Sequence, residues 1–207
     1  MLGDLSSIYE SNGEPGTISD GYGDPGGKSY GAWQLSLNAG SLQEFIDWMV
    51  YNDDALTSQY GNALNQFELA SDEFDSMWKE IARNDGITFL DQQHEYIKRH
   101  YYDNVIMDLS DHYFHIENHH EIMKDVIWSR SVQYGPNNMI DMFHEACANM
   151  GYDNLSYIDA AEFDADLIRN IYDISTSWVT VSNDEVRQSL YNRFRAECAD
   201  ALRQLGE

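Results

Sequence analysis

Apolar residues recur with helical spacing along most of this chain. Phe74, Met77, Trp78 and Ile81 follow the i, i+3, i+4, i+7 rule after Ser71-Asp72-Glu73, and Gly86 comes behind them, which predicts one helix. Thr88-Phe-Leu-Asp91 opens a further helix carrying Leu90, Ile97 and Tyr101. Residues 120–133 and 138–149 read as two more, separated by Gly135-Pro136, and Leu167, Ile168, Ile171 and Tyr172 mark the next. Two capping boxes are visible. Ser41-Leu-Gln-Glu44 precedes Phe45, Trp48 and Met49, and Ser182-Asn-Asp-Glu185 precedes Val186, Leu190, Phe194, Cys198 and Leu202. At the start of the chain, Leu2, Leu5 and Tyr9 with Ile8 predict a short helix over residues 3–11, ending near Glu10.

One stretch breaks the helical pattern. Seven of the fourteen glycines and two of the three prolines fall between Gly13 and Gly31, alternating with Ile18, Tyr22 and Tyr30 and followed by Trp33 and Leu35. Such a run favours strands and tight turns. The fold expected is mainly α, with an α+β character: a helical body and a small β-hairpin beside the first helix. No repeat, linker or domain boundary is visible, so residues 1–207 are expected to form a single domain.

A helix end facing a glycine-rich hairpin suits a general acid. Half-burial raises a carboxyl pKa, and a helix C-terminus opposes a negative charge. Glu10 is the candidate, with Glu14 as rival; Asp24, with Asp20 as rival, presents a second carboxylate from the hairpin. Two carboxyls in different environments match glycosidic cleavage.

The same residues carry a resemblance. Glu10-Ser11 followed by Gly31-Ala-Trp-Gln34 resembles the Glu-Ser … Gly-Leu-Met-Gln signature of lytic transglycosylases and goose-type lysozymes. Gly23-Asp24-Pro-Gly26-Gly-Lys-Ser29-Tyr30-Gly is similar to lysozyme-like domains of phage endolysins, phage tails and related secretion spikes. Phe74-x-x-x-Trp78-Lys79, Gln93-x-x-x-Ile97 and Val126-Ile-Trp-Ser-Arg-Ser-Val-Gln-Tyr-Gly-Pro136 extend it over nearly the whole chain. The resemblance implies a muramidase cutting the β-1,4 bond between N-acetylmuramic acid and N-acetylglucosamine. Glu10 would be its acid and Asp24 its water-positioning residue. Ser29 and Tyr30, which shape the hairpin, would join Gln34, Gln133 and Tyr134 as substrate-binding candidates, Gln34 serving equally well as a brace. With Asp24 as base the enzyme inverts, the carboxyls standing roughly 6.5–9.5 Å apart. Without a base the muramyl 6-hydroxyl attacks instead, giving a lytic transglycosylase. A chitosanase-like hydrolase and a catalytically silent lysozyme-like part of a phage particle are the remaining alternatives.

Charge narrows the partners. Thirty-six acidic against twelve basic residues give a net −24, which excludes nucleic acid and sits awkwardly with an anionic wall polymer. Peptidoglycan strands are the expected partner of a monomer. No run of 18 apolar residues exists, so no membrane insertion is expected, and the N-terminus has no signal-peptide pattern. Delivery to the wall or periplasm is expected through a holin, a virion or a secretion spike. Cys147 and Cys198 are read as free buried thiols.

Three further motifs dissolve on inspection. Gly21-Tyr-Gly23-Asp-Pro-Gly26 lacks a following helix, and Gly27-Lys28-Ser29 lacks the Walker glycine, which is Tyr22. His94-Glu95 and His120-Glu121 both miss the second histidine of a zinc-protease motif. His112, His115, His119 and His120 cluster, with His115 and His119 four apart, but are read as solvated or packed. No metal or cofactor is expected.

Overall fold

Ile18–Ser19 (β1), Ser29–Tyr30 (β2) and Leu35–Ser36 (β3) pair antiparallel in the order β1-β2-β3, with Tyr30 opposite both Ile18 and Leu35. The computed structural model describes residues 2–3, 13–21 and 26–206. Among them the protein is mainly helical with this one small sheet, as the periodicity predicts; the hairpin has gained a third strand. The described residues divide into two compact units, 13–21 with 26–97, and 2–3 with 98–206.

In the first unit, two left-handed residues turn β2 into β3: Gly31 at φ 78° and Gln34 at φ 51°. Three helices follow: Ser41–Val50 (α1), Ala55–Leu64 (α2) and Asp72–Ile97 (α3). The expected Ser41 cap does not form. Gly40, in a left-handed conformation, precedes α1, and Ser41 Oγ accepts from the Ser36 amide at 2.8 Å, clasping β3 to the helix. Ser71 does cap α3, accepting from the Phe74 amide at 3.1 Å. The two helices expected on either side of Gly86 follow one another directly along α3, and the break between them is a kink at Asp85 (φ −135°, ψ 39°), one residue before Gly86. Their apolar faces enclose an aromatic core in which Tyr30 and Phe89 meet Trp78 edge-on at 5.2 and 4.8 Å and Phe45 meets Tyr96 at 5.2 Å. Full burial of such side chains stabilises by about 1.5–3 kcal/mol each.

The second unit is all helical. A π-helical turn (Lys98–Tyr102) leads into α4 (Asp103–Asp111), followed by α5 (Glu121–Tyr134), α6 (Met139–Asn149), α7 (Asp164–Ser177) and α8 (Asp184–Leu205). Helix α5 buries Ile122, Met123 and Val126 through Ser131, polar Ser129, Arg130 and Ser131 included, so burial goes all the way round it and it forms the centre of this unit. Gly135 at φ 82° ends it, and Pro136 starts the 3₁₀ turn into α6. The last helix is capped one residue later than expected, by Asn183, whose side chain accepts from the Glu185 and Val186 amides. Of the helix expected over residues 3–11, Gly3 stands in a turn at φ 89° and is not helical; residues 4–11 lie outside the described residues. Cys147 is buried and Cys198 half-buried, both as free thiols.

Candidate functional site

Glu10 and Asp24 lie outside the described residues; the walls of the glycine-rich stretch do not. Ser29 and Tyr30, which form β2, are both buried. Tyr30 is fully buried, donates its hydroxyl to Asp75 Oδ1 at 2.5 Å, and has its pKa raised by burial first and then by that carboxylate. Lys28 Nζ donates to the other oxygen of Asp75, also at 2.5 Å, and to the Ala70 carbonyl at 3.2 Å. Asp75, at the start of α3, thus ties down both ends of the three-residue segment Lys28-Ser29-Tyr30. Ser29 Oγ donates to the Gly27 carbonyl at 3.3 Å. Gln34 donates through Nε2 to the Gly31 carbonyl at 3.0 Å, holding its own turn closed.

Gln93 on α3 completes the brace. Its Oε1 accepts from the Ala32 amide at 2.9 Å and its Nε2 donates to the Pro15 carbonyl at 3.1 Å, where Trp78 Nε1 also donates at 2.9 Å. Gly31 is required here: a Cβ on it would stand 2.3 Å from Gln93 Oε1. The segments flanking the sequence-predicted carboxylates are therefore anchored to one helix by buried amide chemistry.

Gln133 and Tyr134 belong to the other unit, at the end of α5. Gln133 is half-buried. Tyr134 donates to the Ser175 carbonyl and meets Trp178 edge-on at 5.6 Å; burial pushes its hydroxyl up to about 12, so it stays a neutral donor. One turn earlier on α5, inside the Trp-Ser-Arg-Ser run, Arg130 is wholly buried. Its guanidinium lies 4.6 Å from both the Tyr172 and Phe194 ring centroids and pairs with Glu197. Glu197 also accepts from Ser129 Oγ at 2.9 Å and from Arg193 Nε at 2.6 Å. Beyond these rings, Tyr172, Asp173, Thr176, Phe194, Arg195 and Cys198 help to line a cleft of about 310 Å³ between α7 and α8. Burial raises the Cys198 thiol, so it offers no thiolate there. Ser29, Tyr30, Gln34, Gln133 and Tyr134, the substrate-binding candidates, do not line this cleft.

The histidines are organised by aspartates that the sequence did not single out. His115 and His119 do not share a helical face, because only Ile116–Asn118 between them is helical, as a 3₁₀ turn. Asp159 accepts from the His115 amide at 2.7 Å and meets His115 Nδ1 at 2.8 Å; Asp164 meets His119 Nδ1 at 2.6 Å and His120 Nδ1 at 2.8 Å. Burial pushes both carboxyls up, but hydrogen bonds from His115 to Asp159, and from His119 and the His120 amide to Asp164, outweigh it and hold them below the ordinary range. The Asp159 contact raises His115 in turn. No group of three or more His, Cys, Asp or Glu among the described residues is placed to hold a metal ion.

The chain belongs to the family described as the C-terminal part of type VI secretion system spike proteins like VgrG3, whose model matches residues 2–198. It is similar to the type VI secretion system spike protein VgrG3 of Vibrio cholerae serotype O1, with 38% identity over 135 residues, which is 65% of this chain and 12% of that relative. The chain thus spans about an eighth of the relative's length.

These matches correct the functional expectation. The resemblance pointed to a lysozyme-like hydrolase, an endolysin-type muramidase acting as a bacteriolytic glycosidase; both matches are instead named as secretion spikes, and neither name states a glycosidase activity. The physical reason for the misreading is that the glycine-rich hairpin and the Trp-Ser … Gly-Pro run are packing motifs as much as catalytic ones. Among the alternatives weighed, a structural part of a particle is nearer to the findings than an enzyme. No helix among the described residues is long and apolar enough to cross a membrane.

Proposed function

We propose that this chain is the terminal domain of a type VI secretion spike, carried out of the donor cell as a single folded, monomeric load and brought against the peptidoglycan of the wall or periplasm. The observation that carries the reading is the family match over residues 2–198, with 135 of the residues aligning to only 12% of a spike relative: a domain-sized piece of that much longer protein. The buried Arg130–Glu197 pair and the Gln93 brace support it, since a load that travels with a spike needs internal ties more than an open mobile cleft. Contact with wall glycan is offered by the flank of the hairpin that bears Gln34 and by Gln133, both half-buried and able to donate and accept.

The test is export. An epitope-tagged chain, expressed on its spike in a strain competent for type VI secretion and in one disabled for it, is followed in the culture medium. Release confined to the competent strain is expected; equal release from both would overturn the reading. Wall contact is read separately, by sedimentation of the purified chain with isolated sacculi.

A further inference from the structure

At the junction of α4 and α6, His112 Nδ1 and His144 Nε2 stand 3.0 Å apart, with ring centroids at 5.1 Å and planes at 71°. The backbone around them is built to bring them together. Helix α4 ends at Asp111, and Tyr113 adopts φ 65°, an uncommon conformation for a bulky residue. That turn lets the Phe114 amide reach back to the Leu109 carbonyl at 2.9 Å. Phe114 then packs edge-on against Phe143 at 5.1 Å, both buried. Each phenylalanine is close in sequence to one of the histidines, so the aromatic pair fixes the distance between the two imidazoles. The rings themselves are open to solvent, His112 exposed and His144 half-exposed.

We propose that His112 and His144 form a two-imidazole chelate for a divalent first-row transition metal. Imidazole nitrogens bind such ions at about 2.0–2.1 Å, and two bonds of that length to donors 3.0 Å apart subtend roughly 94° at the ion. That angle fits the tetragonal and octahedral preferences of Cu²⁺ and Ni²⁺; tetrahedral Zn²⁺ would need the nitrogens to open to about 3.3 Å. The hydrogen bond between the rings requires one nitrogen to carry a proton. On metal binding that proton moves to the other nitrogen of its ring, so each neutral imidazole presents a lone pair to the ion and no net proton is lost. The remaining coordination positions fall to water. The net charge of −24 enriches cations around the molecule and favours loading.

Copper(II) chloride titrated into the purified chain supplies the test. The electron paramagnetic resonance spectrum at one equivalent should show coupling to two imidazole nitrogens, and Ni²⁺ should raise the thermal midpoint by tying α4 to α6. His112→Gln and His144→Gln should each abolish the two-nitrogen signature and weaken binding by about tenfold or more. His120→Gln, away from the pair, should change neither. Circular dichroism of the apo variants verifies that they fold, and exposure of both rings makes folding the expectation. A wild-type spectrum without the two-nitrogen pattern overturns the proposal, as does a His144→Gln variant that retains it.

Discussion

Arg130 and Glu197 form an ion pair from which water is excluded on every side: neither side chain has any exposed surface. The pair joins α5 to α8, and the Tyr172 and Phe194 rings cover the guanidinium. Two charges removed from water hold each other only while both are present.

Glu197→Ala should accordingly destabilise the chain by about 3–5 kcal/mol, because it strands a buried guanidinium. The exposed Arg169–Asp166 pair, by contrast, should contribute no more than about 1 kcal/mol. Urea unfolding of Glu197→Ala beside Arg169→Ala compares them. Equal small losses in the two would show that solvent reaches Arg130.

A second outcome concerns the brace. Gln93→Leu removes the acceptor for the Ala32 amide, a loss of about 1–3 kcal/mol where that amide stays buried, and one of two donors to the Pro15 carbonyl, which keeps Trp78 Nε1. Hydrogen exchange should show the Ala32 amide losing protection first. Protection of helix α8, in the other unit, should be unchanged.

Stability should have an acid limb set by Asp159 and Asp164. Both carboxyls are held below their ordinary range, so their contribution is present above the unfolded value of about 4 and is lost as pH falls through the folded values. His115 runs the other way: its raised value means a contribution present below about 6.5 and lost as pH climbs through the folded value. Thermal midpoints should be highest between those limits. Asp164→Asn should flatten the acid limb, and an unchanged limb would move its origin elsewhere.

Charge governs the approach to an anionic wall. At −24, sedimentation with isolated sacculi should increase as salt shortens the Debye length from about 30 Å at 0.01 M to about 8 Å at 0.15 M. Binding that declines over the same range would point to a local basic patch stronger than the global field.

The sequence by itself determined the helical body, because apolar stripes at 3.6-residue spacing can be satisfied in only one way; α5, α6 and α7 lie where their stripes and Gly135-Pro136 put them. It also marked the glycine-rich stretch as the break in that body. Helix α2 was not legible, since Ala55–Leu64 carries few apolar residues and a central Gly61 that only packing against Met49 and Val50 makes favourable. The break within α3, by contrast, was legible, since the kink at Asp85 falls beside Gly86, where the apolar pattern ends one helix before the next begins. Side-chain pairing was the least visible. Gln93 with Ala32, Asp164 with His119 and His120, Arg130 with Glu197, and His112 with His144 are separated by 32 to 67 residues. Hydrogen-bond and charge complementarity leave no periodic trace in a sequence, so only the tertiary structure, by choosing which faces meet, decided which polar groups would consume one another and which two imidazoles would be left side by side at the surface.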